Sequence, residues 1–326
     1  MARLGENRYG KSRVRLSRVM RHGERHDFQE WTVRVLLQGN FGPSFTEADN
    51  SCILPTDTMK NTVYSLARDS KATAVEEFAM ELGDYLLANN QQVSEASVEI
   101  EEKTWERMVS DGAPHPTTFR LSGTEVNTVA AAREQNGKWS IASGIDGLAI
   151  LKTTKSAFTG YINDRLTTLR PATDRIFGTS ATVAWVYAAQ TPDFTTVRKR
   201  ILETLLKTFA AHDSMSVQHT LFDMAKAALD VAPEIASIKL TMPNLHHLLA
   251  DLSPFGQDNP NHIFVPVDEP YSQPFWLAHK HKGETYAIDD QRLIGRPDPI
   301  PVPPALRGDP PLPAATAHPP GCEPAA

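Results

Sequence analysis

A chain of 326 residues, 40% hydrophobic and 22% charged, has the composition of a globular protein with a substantial core. Its formal net charge of -6, without any long basic block, argues against nucleic acid as the main partner. No apolar run is long enough to span a membrane as a helix. The two cysteines, Cys52 and Cys322, are too few for a disulfide framework or a thiolate metal cage and fit a reducing compartment. Residues 1–21 are basic and polar, without the apolar core of a secretory signal.

Trp31, Val33, Val35 and Leu37 alternate with polar neighbours, the period of a half-buried strand, and residues 13–20 supply its hairpin partner. A helix is predicted over 57–68. A second, over 74–88, puts Val75, Phe78, Ala79, Leu82 and Leu86 on one face, with Thr73 and Glu76 as its capping box. Strands return at 97–104 and 126–133. The order then repeats. Strands are predicted at 148–153 and 181–187. The next helix starts after Pro192 and Asp193 and carries Val197, Ile201, Leu205 and Phe209 on one stripe. Another helix covers 216–229, and strands follow at 235–242 and 262–267.

Hairpins with paired helices, twice over, predict an α+β architecture: antiparallel sheet with helices on one face. The expected units are 1–146 and 147–293. The last 30 residues hold 11 of the 24 prolines, so 294–326 reads as an extended or disordered tail.

Four segments concentrate polar residues that suit chemistry. Lys11 opens a strand, where a lysine is ordinarily a solvated charge but, stripped of water, can act as a base. Thr56 and Asp57 begin a helix, where they serve as caps or mark an end whose free amides hold an anion. Phe158 and Arg175 offer an aromatic plate and a planar guanidinium fork. Val217 and Gln218 open another helix. Asn244 and His246, two apart, share a face if they lie on a strand, whereas His246 and His247 point to opposite sides and make no metal pair.

Several stretches together bring a family into view. They are Tyr-Gly-Lys at 9–11, Thr-Asp-Thr-Met-Lys-Asn-Thr-Val-Tyr at 56–64 and Gly-Leu-Ala-Ile-Leu-Lys-Thr-Thr at 147–154. Thr-Thr-Leu-Arg-Pro-Ala-Thr-Asp-Arg at 167–175, Ser-Val-Gln at 216–218, Asn-Leu-His-His at 244–247 and Phe-Gly-Gln-Asp-Asn-Pro-Asn at 255–261 complete the set. In this order, from Tyr9 to Tyr271, the chain resembles the urate oxidases. It departs from them at Pro55, where relatives often carry alanine, and at Leu245, where many carry lysine. The resemblance implies tandem tunnelling-fold units assembling as a homotetramer around a barrel-like tunnel, with active sites at subunit interfaces. It implies oxidation of urate by dioxygen without metal or other cofactor. Lys11, Thr56 and His246 are then the catalytic relay, and Thr56, Asp57, Phe158, Arg175, Val217, Gln218 and Asn244 hold substrate. The ending Cys-Glu-Pro-Ala-Ala lacks a Ser-Lys-Leu peroxisomal address, so a cytoplasmic, bacterial-type enzyme is expected. Two other readings stay open at this stage. One is a purine-binding scaffold without chemistry. The other is a hydrolytic tunnelling-fold enzyme, which would need a metal cage that the cysteine count and histidine spacing do not offer.

Overall fold

Alternation along the strands decides which face each presents. In the hairpin β1 (Arg8–His22) and β2 (Arg25–Gly39), the side chains of Trp31, Val33, Val35 and Leu37 are buried on one face of β2. The computed structural model describes residues 4–188, 190–267 and 274–279. The proposed tail, 294–326, and Tyr271 at the end of the resemblance lie outside them.

A short helix α1 (Gly42–Thr46) leads to the pair α2 (Thr56–Asp69) and α3 (Val75–Asn89), which pack against β1 and against the next hairpin, β3 (Val93–Ser110) and β4 (Ala113–Glu134). The second half runs β5 (Ser140–Lys152), β6 (Phe177–Tyr187), α4 (Phe194–Ala211), α5 (Val217–Val231) and β7 (Ile235–Thr241). Three short strands follow: β8 (Asn244–Leu249), β9 (Phe264–Val267) and β10 (Phe275–His279). Among the described residues, the named strands all pair antiparallel. The sheet runs in the order β1-β2-β3-β4-β5-β6-β7-β10, with β8 joining β6 and β9 joining β8. It is open within the chain, with β1 at one end of the path and β10 at the other.

Each half has its own hydrophobic cluster. The first joins β2 and β3 to α2 and α3 and contains Trp31 stacked on Phe78 with centroids 4.9 Å apart. The second joins β6 and β7 to α4 and α5 through Val183, Trp185, Ile201, Leu205, Leu221 and Ile238. Trp139 packs against both clusters. Its ring lies where Gly83 of α3 leaves room: a Cβ there would come within 2.3 Å of the indole. The seam expected near 144–147 falls inside β5, where the register with β6 shifts between Ile145 and Leu148.

The capping of α3 differs from the expectation. Its box uses Glu77, whose Oε2 accepts from the Thr73 amide at 2.8 Å and the Ala74 amide at 3.1 Å. The preceding residue, Glu76, is 1% exposed and turned inward. It accepts from Ser143 Oγ at 2.5 Å and pairs with Arg198 of α4, which also donates to the Gly144 carbonyl at 2.7 Å. A box one residue later follows from the helix starting at Val75, with Ala74 at the cap position. Helices α4 and α5 are capped by Asp193, accepting from the Thr196 amide at 2.9 Å, and Ser216, accepting from the His219 amide at 3.1 Å.

Candidate active site

The sequence-predicted residues fall into two groups. The first is assembled by Tyr9, whose hydroxyl donates to the Leu54 carbonyl at 3.1 Å and accepts from the Leu54 amide at 2.7 Å. This ties the start of β1 to the segment that enters α2. Gly10 lies so close to β2 that a Cβ would sit 1.8 Å from the Val35 carbonyl oxygen, so only glycine lets the strands pair here. Next to it Lys11 pairs with Val35, and the register then shifts before Val14, with Arg13 at φ 57.

At α2 the cap position is Pro55, which offers no side-chain cap, and Thr56 and Asp57 stand in the first turn. The simple capping role is therefore excluded for Thr56, and the first amides of this helix have no capping side chain. The Asp57 carboxylate accepts from Lys60 and, at 3.2 Å, from Asn61. The Lys60 contact holds Asp57 below the usual carboxylate range, and Lys11 contributes in the same direction, so Lys11 and Asp57 lie within electrostatic reach.

The second group converges from the β5–β6 connection and β8. Phe158 bridges Ala172 through paired backbone bonds of 2.8 and 3.1 Å, which closes the connection on itself and carries Arg175 back toward the ring. The Arg175 guanidinium carbon lies 5.5 Å from the Phe158 centroid. Tyr161 stacks on Phe158 with centroids 5.0 Å apart, so one face of the ring is already covered. Arg175 Nε is buried without a hydrogen-bond partner among the described residues, and burial lowers the Arg175 pKa. A buried Nε without an acceptor is a condition that a polar ligand relieves.

Asn244 is 6% exposed and pairs with Thr179 of β6. Its amide nitrogen lies 3.0 Å from His246 Nδ1. Burial first, and then Arg175, lower the His246 pKa below its ordinary 6.5, so neutral imidazole is favoured. With Nδ1 accepting from Asn244, the ring carries its proton on Nε2. The two residues do share a face of β8, as their spacing required. His247 turns elsewhere and meets the Leu245 carbonyl at 3.0 Å.

Val217 and Gln218 form the first turn of α5, Val217 buried and Gln218 exposed. The segment before them is stitched to the Phe158 connection: the Ala157 amide donates to the Ser214 carbonyl at 2.7 Å, and the Ser214 amide to the Lys155 carbonyl at 2.9 Å. Among the described residues, no hydrogen bond, ion pair or ring contact joins Lys11, Thr56 or Asp57 to the Phe158–His246 group.

Sequence spacing gave no sign of two further features. One is the Tyr161 plate. The other is His212, at the end of α4, which folding brings beside His219 and Asp223 of α5.

The Uricase family profile matches residues 7–132 and 141–273. The chain is 40% identical over 268 residues to the uricase of Arthrobacter globiformis, covering 82% of this chain and 87% of that one. It is 39% identical to a uricase-2 isozyme of Glycine max over 287 residues, covering 82% and 92%. The crystal structure of the Arthrobacter globiformis uricase superposes with a TM-score of 0.84 at 36% identity, covering 90% of this chain and 99% of that one. Urate oxidase from Bacillus sp. TB-90, at 21% identity and a TM-score of 0.74, shares the fold. With the profile matched over both halves of the chain and 90% of it superposed on a solved uricase, the chain belongs to the uricase family.

Proposed function

We propose that the chain oxidises urate with dioxygen and water to 5-hydroxyisourate and hydrogen peroxide. The observation that carries this reading is the half-buried Arg175 guanidinium, its Nε without a partner among the described residues, set over Phe158 and within electrostatic reach of His246 of the Asn244–His246 pair. It is matched to a planar anion with paired acceptors on one edge. Urate stacks on Phe158, while Arg175 and Gln218 hold one edge with the Val217 backbone beside them. The amides at Thr56 and Asp57 meet the other edge at the start of α2, where the helix dipole favours negative charge.

Lys11, Thr56 and His246 form the proton path through a water molecule, with lysine as base, the threonine hydroxyl as bridge and histidine as orienter. Removing a proton from the urate anion leaves an electron-rich dianion, which is itself the reductant. Two electrons pass to dioxygen, which leaves with two protons as hydrogen peroxide, and water adds to the oxidised ring. Asn244 holds first dioxygen and then that water above the ring.

Lys11, Thr56 and Asp57 belong to unit 1–146, and the remaining site residues to unit 147–293. The absence of a direct link between the two groups supports a site completed by a second subunit, in a homotetramer.

Purified protein should remove urate absorbance and release peroxide with no cofactor added, before and after exhaustive chelation. Turnover that disappears on chelation and returns only with metal would overturn the scheme. Lys11→Met and Thr56→Ala should each reduce kcat strongly, with the double variant little worse than the poorer single, because links of one path are non-additive. Multiplicative losses would show independent roles.

A further inference from the structure

Outside the proposed urate site, one cluster of side chains has the makings of a cation site. His212 caps the C-terminus of α4, and His219 and Asp223 stand one turn apart on α5. His212 Nε2 lies 2.9 Å from Asp223 Oδ2, and His219 Nε2 lies 3.9 Å from the same oxygen. One ligand atom from each residue falls within 4.8 Å of the others, with the imidazole centroids 4.5 Å apart. We propose that His212, His219 and Asp223 bind one zinc ion, as an accessory site that clamps the end of α4 to the first turns of α5.

The dimensions fit. Zinc held at about 2.0–2.2 Å by nitrogen and oxygen in a tetrahedron separates its ligands by roughly 3.3 Å. The observed 2.9 and 3.9 Å bracket that value, so small side-chain rotations close the site. Two imidazoles and a carboxylate favour zinc over magnesium or calcium, which take oxygen, and leave a fourth position for water.

The surroundings set up His212 as a ligand. Its backbone is fixed at both ends: the amide donates to the Thr208 carbonyl at 3.0 Å, and the carbonyl accepts from Lys152 Nζ at 2.6 Å. Its Nδ1 lies 3.2 Å from Thr220 Oγ1, and that hydroxyl is 2.6 Å from Ser214 Oγ and 3.2 Å from the Ser216 carbonyl. A hydroxyl both donates and accepts, so Thr220 serves either tautomer. Without metal, Nε2–H donates to Asp223 and Nδ1 accepts from Thr220. With metal, the proton resides on Nδ1 and is received by Thr220, whose own hydrogen turns to Ser214 or Ser216, and the Nε2 lone pair is released to zinc. Such an outer hydrogen bond is what orients a metal-binding imidazole. The opposing charges include Lys152, whose ammonium is turned to the Phe209 and His212 carbonyls, and Lys226, which is paired with Asp230 and lies within electrostatic reach of Asp223.

The test reads binding alone and is independent of urate turnover. Full-length protein stripped with a chelator is titrated with zinc sulfate by calorimetry. One zinc per chain is expected, together with a higher melting temperature in zinc. His219→Ala, at an exposed position, should lose that binding. Thr220→Val keeps all three ligands and should weaken it about 10–100-fold. Copper(II) should compete for the site and magnesium should not. Unchanged stoichiometry and affinity in His219→Ala, or no zinc bound by the unaltered chain, would overturn the assignment.

Discussion

In the proposed site, Arg175 concentrates what the second half does. Its Nε is buried without a partner among the described residues, burial lowers its pKa, and its guanidinium carbon lies 5.5 Å from the Phe158 centroid. Arg175→Lys keeps the charge and loses the paired geometry. Losing one charge-assisted bond of about 1.5–3 kcal/mol should lower kcat/KM for urate roughly tenfold to over a hundredfold. Unaltered kcat/KM would remove Arg175 from the site. Arg175 also acts on His246, whose pKa is lowered first by burial and then by this cation. The sign follows directly. Protonation is deferred to pH values below 6.5, so neutral His246 persists through the physiological range and is lost only as pH falls further. The acid limb of kcat/KM should therefore lie below 6.5 and be absent in His246→Gln; an unshifted limb in that variant would assign it to another group. None of these residues was identifiable by periodicity. Positions 11, 56, 158, 175, 218 and 246 are distant in the chain, and only the motifs around them, read as a resemblance, placed them in one site. The Tyr161 plate escaped because an isolated tyrosine in a polar connection carries no spacing signal.

Elements were legible where apolar residues alternate over a core and illegible where they do not. The buried stripe of β2 and those of α3 and α4 follow directly from their sequences. The hairpin β3–β4 extends beyond the predicted 97–104 and 126–133 because its outer part is held by cross-strand backbone pairing with little burial. Its turn, Asp111-Gly112, takes positive φ at both residues, the conformation that this dipeptide favours. Strand β10 was missed because its large apolar residues Phe275, Trp276 and Leu277 stand exposed without alternation. The start of α3 shows how one position changes a role. Glu77→Ala removes a cap contact and should cost about 0.5–2 kcal/mol. Glu76→Ala strands a buried Arg198 and should cost about 3–5 kcal/mol. Urea unfolding of both variants ranks them, and the reverse order would restore the sequence-based assignment of the box to Glu76.

For the whole molecule, the open sheet and the divided site bear on one another. In the proposed site, the two groups share no direct contact among the described residues, and a second copy completes the site; the expected consequence is an oligomer-dependent activity. Activity per chain should fall with the light-scattering mass across a dilution series, and a fully active monomer would rule out the shared site. Within one chain, the halves are joined by more than sequence. Trp139, seated over Gly83, belongs to both hydrophobic clusters, and the Glu76–Arg198 pair crosses between α3 and α4. Neither half can melt without uncovering a surface of the other. The two clusters are thereby expected to melt in one cooperative transition, and calorimetry should record a single endotherm whose calorimetric and van't Hoff enthalpies agree for the unit that melts. Replacing Trp139 with alanine should divide that endotherm, turning a protein that unfolds as a whole into one whose halves carry separate melting temperatures.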